Sequence, residues 1–392
     1  MFQKSTILFI AAFIALILSA GCMQSAQTPA GGLTSSAGTP TVIMTVPVAP
    51  VPVLSTNGTN LAYELVLTAP ANMTLVPEKV EVIDPSTGNV IYTEDPTLLA
   101  VVYHKVKDPL PTEAEMQVGT SDLPVPRISV WFQVSHGAVP DRLTHRLTLN
   151  RSAEGLSPLV VTGGDVAVQK NLSPVIIGSP VKGNGWLIMG TTSPLTGHFK
   201  TQVTMNGVTR TPERYAQDYV FIDPATGNAS FGDDNIARNY YGYGKELYAV
   251  GNGTVVAVRD GMPDIEVLSE KPAPTGETAP GNYVILDLGN KKYACYGHMI
   301  NGSIRVSRGD PVTEGQVLGL LGNTGNSDAP HLHFQVVTDN PVFMGAEGYP
   351  VVFRSFNLTG TIDMAKGSAT FFNEPLFQEN RLMEDEVVVS FP

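Results

Sequence analysis

Short runs in which apolar and polar residues alternate recur along the chain from about residue 48. In a first block, 48–175, these runs lie at 61–68, 80–83, 90–92, 98–106 and 128–134. Clusters of Pro, Gly, Asn and Asp separate them, and no stretch repeats its apolar positions with the period of a helix. The pattern predicts an immunoglobulin-like β-sandwich over 48–175.

A second block, 180–392, has the same character. Its alternating runs lie at 253–259, 282–288, 292–296 and 331–337, and Gly-Asn pairs lie between several of them. A Gly-Asn pair between two strands favours a tight hairpin turn. The fold class is therefore predicted to be all-β, with a β-sandwich followed by an antiparallel β-sheet domain.

The first residues have a different pattern. An apolar run covers 7–20 and is followed by Cys22, in the sequence S-A-G-C at 19–22. About 14 apolar residues are fewer than the about 20 that cross a membrane, but they suit an export signal. The end of the run resembles a lipobox, so 1–22 is predicted to be a lipoprotein-like signal peptide with lipidation at Cys22. A plain signal peptide and an uncleaved anchor remain alternatives.

Residues 23–47 contain no charged side chain and consist largely of Gln, Thr, Ala, Gly, Ser and Pro. This composition predicts a flexible linker between the membrane and the folded part. The protein is predicted to lie on the extracellular face of the cell membrane, attached through a lipid. Eight N-x-[ST] sequences, which are glycosylation acceptors in exported proteins, fit this location. They begin at Asn57, Asn72, Asn150, Asn171, Asn228, Asn252, Asn301 and Asn357.

Composition narrows the classes of partner that the protein could bind. The chain has 24 Lys and Arg against 36 Asp and Glu, a net charge of −12. This balance argues against nucleic acid as a partner, because phosphate neutralisation needs a basic surface. Cys22 and Cys295 cannot make a disulfide framework, and Cys295, in a predicted strand, is expected to be a buried, unreactive thiol. Nothing in the composition indicates the oligomeric state.

Candidate chemistry lies in A-P-H-L-H-F at 329–334. Residues i and i+2 of a strand point to the same face, so His331 and His333 are expected to present imidazoles about 6–7 Å apart. One ring of such a pair can bind a metal while the other addresses a water molecule or a substrate. By itself, the pair does not distinguish a metal site from two structural histidines.

Glycine-rich motifs accompany this pair. They are G-N-Y-V-I at 281–285, Y-G-H-M at 296–299, G-D-P-V at 309–312, G-Q-V-L-G at 315–319 and G-N-T-G-N-S at 322–327. In this order and spacing, the segment from about 244 to 335 resembles the lysostaphin/LytM-type zinc metallopeptidases. A phosphate loop is excluded because no Lys-Ser or Lys-Thr pair follows the last glycine motif.

The resemblance implies a LytM-type antiparallel β-sheet peptidase domain over 180–392, with its core at 198–340, and one Zn²⁺ ion. It makes His333 a zinc ligand and gives His331 and His298 catalytic roles beside the attacking water. Neutral imidazoles can bind zinc or accept a proton from water, as these roles require. The implied substrate is a peptide, often the cross-bridge of a cell wall.

The other two ligands depart from the family's H-x-x-x-D pattern. Asp218 matches the ligand Asp, but Arg214 stands where the ligand His belongs, and a guanidinium cannot bind zinc. His198 is the nearest upstream histidine and becomes the candidate third ligand if 198–205 and 214–222 pair as neighbouring strands. A subgroup of the family resembles this R-Y-A-x-D arrangement. The other acidic candidates lie in turn-like or polar sequence; they are Asp223, Asp233 and Asp234.

Three functions are compatible with these features. The leading hypothesis is a cell-surface zinc metalloendopeptidase that hydrolyses peptide bonds, with cell-wall cross-bridges as candidate substrates, through water activated by zinc. The alternative, suggested by Arg214, is a catalytically inactive family member that acts as a surface binding or regulatory module. The third is a structural surface protein whose β-sandwich mediates assembly.

Overall fold

The structure is a computed structural model that describes residues 42–71, 73–105, 125–205, 208–273, 275–366 and 368–392. The predicted signal peptide with Cys22, most of the predicted linker and the acceptor Asn72 lie outside the described residues. Among the helices of the described part of the chain, none is long and apolar enough to cross a membrane.

The N-terminal β unit consists of strands β1 to β9 and one short helix, α1, among the described residues. The strands are β1 Ile43–Thr45, β2 Val53–Leu54, β3 Thr59–Thr68, β4 Pro77–Ile83, β5 Val90–Glu94, β6 Tyr103–Lys105, β7 Pro126–Val134, β8 Arg142–Leu149 and β9 Leu159–Ala167; α1 is Pro96–Val102, and Ser152–Glu154 form a 3-10 turn. One sheet has the order β1-β3-β7-β6, with β2 beside β3, and the other has the order β5-β4-β8-β9. Both sheets contribute to one hydrophobic core. Their strand order agrees with the A-B-E-D and C′-C-F-G sheets of an immunoglobulin-like arrangement.

Two local predictions for this unit are wrong. Residues 43–45, assigned to the flexible linker, form β1 and pair with the end of β3. The run 98–106, predicted as a strand, is α1 followed by β6. The Asp95 carboxylate accepts hydrogen bonds from the backbone N–H groups of Thr97 and Leu98, and Pro96 occupies the first helical turn, so the helix begins with a favourable cap. With only seven residues, α1 is too short to show a helical stripe.

Glu94, at the end of β5, is fully buried, and neither of its carboxylate oxygens has a hydrogen-bond partner among the described residues. Burial raises the pKa of Glu94 from an ordinary value of 4.5 to about 8. When folding raises the pKa of a carboxyl group, the unfolded chain loses its proton at a lower pH than the folded protein does. The free energy of unfolding therefore falls as the pH rises from the unfolded-state pKa to the folded-state pKa. The stability of the unit should therefore fall between about pH 4.5 and pH 8.

Replacing Glu94 with Gln should remove this loss, because an amide of the same shape does not ionise. We expect E94Q to be more stable than the wild-type protein by on the order of 3 kcal/mol at about pH 8.5, with a much smaller difference at about pH 4.5. Urea unfolding followed by circular dichroism at the two pH values measures this. E81Q is the control, because Glu81 accepts a hydrogen bond from the partly exposed Arg146 side chain and so does not lack a partner. An equal gain at both pH values would contradict the prediction.

The C-terminal β unit carries the remaining strands of the described residues. They are β10 Val175–Ile177, β11 Gly183–Met189, β12 Val203–Met205, β13 Val208–Arg210, β14 Gln217–Phe221, β15 Glu246–Tyr248, β16 Gly253–Arg259, β17 Asn282–Asp287, β18 Lys292–Met299, β19 Pro311–Val312, β20 Val317–Leu320, β21 Leu332–Thr338, β22 Glu347–Gly348, β23 Val351–Asp363, β24 Ser368–Arg381 and β25 Val387–Phe391. A one-turn helix, α2, covers Gly197–Lys200, and 3-10 turns cover Ala237–Asn239 and Leu268–Glu270. The predicted all-β class is confirmed, and the predicted strands at 253–259, 282–288 and 292–296 are present with shifts of at most a few residues.

The main sheet of this unit has the order β10-β23-β25-β11-β14-β21-β18-β17-β16-β19. Neighbouring pairs from β11 to β16 are antiparallel, as predicted. Cys295 on β18 is a free, buried thiol, as expected, and burial raises its pKa. The hydrophobic core of the sheet continues into the N-terminal β unit through Val53, Ala62 and Trp131, so the two units share packed residues.

Candidate metal centre

Strand register places Asp218 and His333 side by side. On β14 and β21, Asp218 lies directly opposite His333, and the next strand, β18, places Gly297 on the other side of His333. Asp218 Oδ1 lies 3.1 Å from His333 Nδ1. The alternate residues Tyr219 and Phe334 point to the opposite face, where their rings pack edge to face in the core. Because side chains alternate between the faces of a sheet, this apolar packing directs the Asp and His towards the other face.

His198 reaches the same place from helix α2. Its Nε2 lies 3.3 Å from Asp218 Oδ2, and its Nδ1 lies 3.0 Å from the carbonyl oxygen of Gly190. Gly190 has a φ of 77°, and a Cβ there would lie 2.4 Å from His198 Nδ1, so this close approach requires glycine. The expected pairing of 198–205 with 214–222 is wrong, because β14 pairs with β11 and β21 instead.

The donor atoms fit a zinc ion. One ligand atom from each of His198, Asp218 and His333 lies within 4.8 Å of the others. Asp218 Oδ1 is buried and makes no hydrogen bond with the described residues. Burial raises the pKa of Asp218, but the neighbouring His198 and His331 outweigh burial and hold it well below its usual value. Two imidazole nitrogens and one carboxylate oxygen are a common zinc donor set, with one position left for water or substrate.

A second contact on each ligand histidine selects its tautomer. The Nδ1–H of His198 donates to Gly190, and the Nε2–H of His333 donates to Gln335 Oε1 at 2.8 Å. The Gln335 amide is itself oriented, because its nitrogen donates to the carbonyl oxygen of Phe343 at 2.7 Å. When both rings are neutral, these contacts leave the lone pairs on His198 Nε2 and His333 Nδ1, the two nitrogens that face Asp218, which is the arrangement that metal-binding histidines use.

His331 and His298 lie beside this group. Their ring centroids are 4.6 Å apart, and His331 Nε2 lies 3.5 Å from Asp218 Oδ1. The Nδ1–H of His331 donates to Ala329 O at 2.8 Å, and that of His298 donates to Thr324 O at 2.7 Å. In each ring Nε2 is therefore the proton-accepting nitrogen. Burial lowers the pKa of His298 well below its usual value, with a further contribution from His331 and His333, so this ring is neutral at pH 7.

The backbone of His298 has a φ of 61°, which is uncommon for a residue other than glycine. Two backbone hydrogen bonds stabilise this conformation. The His298 N–H donates to Pro280 O at 3.0 Å, and the Gly322 N–H donates to His298 O at 3.1 Å. Gly322 opens the G-N-T-G-N-S motif, so that motif supports the position of the histidine as well as forming a turn.

Arg214 does not reach the metal centre. Its guanidinium is paired with Glu64 and Glu347, and Asp218 is not among its ion-pair partners in the described residues. The alternative acidic candidates are not brought together with the histidines in any metal-binding cluster of the described residues. Asp223 and Asp233 instead accept hydrogen bonds from backbone N–H groups two residues ahead of them, which is turn chemistry.

Sequence reasoning missed Gln335, Gly190 and Glu64. Gln335 had a signal, because it lies two residues after His333 on the same strand and therefore on the same face. Glu64 had a weaker signal, since it is a charged residue inside the apolar run 61–68. Gly190 had none, because its contact with His198 depends on a helix that the sequence pattern did not indicate.

Replacing Gln335 with Leu should weaken zinc binding by about 10- to 100-fold, since His333 then loses the acceptor that orients its ring. Competition with a chromogenic chelator measures the affinity. Q316L is the matched control, because Gln316 is exposed on a surface turn. An affinity of Q335L within about 2-fold of the control would contradict the assigned role.

Comparison with known proteins identifies similarity over part of the chain. Residues 240–343 match the profile of Peptidase family M23, a segment that includes His298, His331 and His333 but not His198 or Asp218. The peptidoglycan DD-endopeptidase ShyA of Vibrio cholerae is 33% identical over 94 residues, which are 24% of this chain and 18% of the relative. Endolysin 2638A of Staphylococcus phage 2638A is 41% identical over 59 residues, 14% of this chain and 12% of the relative.

Similar solved structures include the catalytic domain of lysostaphin from Staphylococcus simulans. The identity is 23%, the alignment covers 42% of this chain and 84% of that chain, and the TM-score is 0.22. The chain spans less than a fifth of the length of the curated relatives that it matches. The residues of the family match, 240–343, contain β15 to β21 and the loops between them.

Proposed function

We propose that the protein is a zinc metalloendopeptidase of the LytM type, on the premise that residues 240–343 match Peptidase family M23. The observation that carries the proposal is the convergence of His198, Asp218 and His333 around one point, with the Nε2 atom of His331 3.5 Å from the same carboxylate. Hydrolysis needs a proton acceptor beside the metal, and His331 and His298, each in a defined tautomer, can supply one. Metal storage would not need these two histidines.

When bound, a zinc ion would act as a Lewis acid on a peptide carbonyl and lower the pKa of water. The Nε2 atoms of His331 and His298 are available to accept a proton from the attacking water. Once protonated, the same atoms can donate that proton to the peptide nitrogen as it leaves, so the site ends the cycle in its starting state. The Asp218 carboxylate stabilises positive charge on His331 during this transfer, because its Oδ1 atom faces His331 Nε2.

Cell-wall peptide cross-bridges are the proposed substrate. The support is that the 33%-identical segment belongs to a relative named as a peptidoglycan DD-endopeptidase. We further propose that the protein acts at the outer face of the cell membrane, anchored through a lipid at Cys22, on the basis of the apolar run and S-A-G-C sequence at its start. Loss of fatty-acid labelling in C22S would support this location, and unchanged labelling would contradict the anchor.

The proposed activity is tested on the purified full chain. Mass spectrometry should find about one zinc per chain, and incubation with peptidoglycan or a Gly-containing cross-bridge peptide should release new amino groups. H331A should keep the zinc and lose activity by about 100-fold or more, since only a proton acceptor is removed. Less than about 0.2 zinc per chain would overturn the metal site. A wild-type protein that binds zinc but releases no more amino groups than H331A would instead favour a binding or regulatory module.

A further inference from the structure

A buried ion pair connects the N-terminal β unit to the segment that carries Asp218. Glu64 of β3 accepts hydrogen bonds from Arg214 Nη1 at 2.7 Å and from Nη2 at 2.8 Å, and both residues are at most 3% exposed. Thr211 Oγ1 donates to Glu64 at 2.9 Å, and Glu347 also accepts hydrogen bonds from Arg214. Arg214 lies four residues before Asp218, so the N-terminal unit contacts the chain just ahead of this ligand.

Aromatic packing connects the same unit to the segment that carries His198. The Trp131 ring of β7 packs edge to face on Phe199, with centroids 5.3 Å apart, and also lies 5.5 Å from the Tyr215 ring. Phe199 directly follows His198, and Tyr215 directly follows Arg214. All three aromatic side chains are buried. A helix of one turn has little stability of its own, so the direction of His198 depends on this packing.

A third connection passes through the loop before β25. Ser55 Oγ donates to Glu384 Oε1 at 2.8 Å, and the backbone N–H of Leu382 donates to Leu54 O at 2.8 Å. Asp385 and Glu386, the two residues after Glu384, hold the backbone on both sides of Gly190, because the Asp385 N–H donates to Thr192 Oγ1 and the Glu386 N–H donates to Ile188 O, both at 2.9 Å. The carbonyl group of Gly190 in turn orients His198 through Nδ1.

We propose that the N-terminal β unit is a positioning element of the metal centre, acting through Glu64 on Arg214 and through Trp131 on Phe199. The inference rests on the proposed zinc site. Its physical basis is that a buried guanidinium is tolerated only when it is paired, so Glu64 fixes where Arg214 and the following residues lie. Arg214, in the position where a ligand histidine is expected, then connects the metal-binding segment to the N-terminal β unit. His198 supplies the ligand instead, from helix α2, which packs against the N-terminal β unit.

Metal affinity in folded variants of the full chain tests the proposal. E64Q removes the charge that pairs with Arg214, and W131L removes the ring that packs on Phe199. Each should weaken zinc binding by about 10-fold or more and change the visible spectrum of the Co²⁺-loaded protein, because E64Q displaces the Asp218 ligand and W131L displaces the His198 ligand. E81Q, a carboxylate of the same unit paired with the partly exposed Arg146, should leave both readouts unchanged.

A measurement on the wild-type protein complements the variants. If the N-terminal unit favours the metal-binding geometry, zinc must stabilise that unit in return, since coupling between two sites is reciprocal. Zinc should therefore slow amide hydrogen exchange in β3 and β7.

Unchanged exchange in β3 and β7, or folded E64Q and W131L proteins with wild-type zinc affinity and Co²⁺ spectrum, would overturn the proposal. If the variants do not fold, the exchange result decides. A wild-type protein that binds no zinc overturns the proposed function itself, whereas normal zinc binding without peptidase activity leaves this inference intact.

Discussion

Replacing His198 with Ala is expected to weaken zinc binding by about 100- to 1000-fold and to reduce peptidase activity to background. In a structural zinc site, about 10–16 kcal/mol divided among four protein ligands corresponds to about 2.5–4 kcal/mol for each of them. Arg214 cannot compensate, because a guanidinium has no lone pair to offer and its donors are already paired with Glu64 and Glu347. Chelator competition measures the affinity, and released amino groups measure the activity.

The matched control for this variant is H136A, which removes an exposed imidazole of the N-terminal β unit. It should leave zinc affinity and activity within about 2-fold of the wild-type values. If H198A also retained wild-type affinity, His198 would not be a ligand. Asp218 and His333 would then have to bind the metal with another partner.

Replacing Arg214 with Met is expected to destabilise the protein by about 3–5 kcal/mol, because Glu64 and Glu347 would remain buried without their counter-ion. Methionine retains much of the side-chain volume, so the loss is mainly electrostatic. R146M is the matched control, since Arg146 pairs with Glu81 while its own side chain is 41% exposed. That surface pair should be worth about 0–1 kcal/mol. Urea unfolding of the two variants and the wild-type protein measures the difference.

A double variant separates charge from packing at the same place. In R214M/E64L the buried pair is replaced by apolar residues, so part of the stability lost in R214M should return. A loss for R214M no larger than that for R146M would show that the buried network contributes nothing. An R214M/E64L protein as unstable as R214M would indicate that Glu347 alone accounts for the cost.

The sheet and the histidine pair were predictable because both follow from local periodicity. Alternation located β16, β17, β18 and β21, the last of which carries His333, and the i, i+2 rule brought His331 and His333 to one face. His331 lies just before β21 begins, yet its ring still reaches Asp218. Local patterns also predicted the turns, since Gly-Asn pairs and clusters of Pro, Gly, Asn and Asp have backbone preferences of their own.

The route by which His198 reaches the site was not predictable, because it depends on contacts between distant parts of the chain. A one-turn helix leaves no periodic signal, and Glu64 and Arg214 are 150 residues apart in sequence. The sequence marks both as unusual, one as a charge in an apolar strand and the other as a departure from H-x-x-x-D. Nothing local indicates that the two irregularities pair with each other.

The positive φ of His298 decides which substitution can report on its chemistry. Alanine at this position would remove the imidazole and also incur the cost of a left-handed backbone, about 1–2 kcal/mol. A lower activity of H298A would therefore combine the loss of the ring with a disturbed backbone. Asparagine adopts this backbone conformation readily. Activity lost in H298N can therefore be assigned to the missing ring nitrogen, and the difference between H298A and H298N gives the contribution of backbone geometry to turnover.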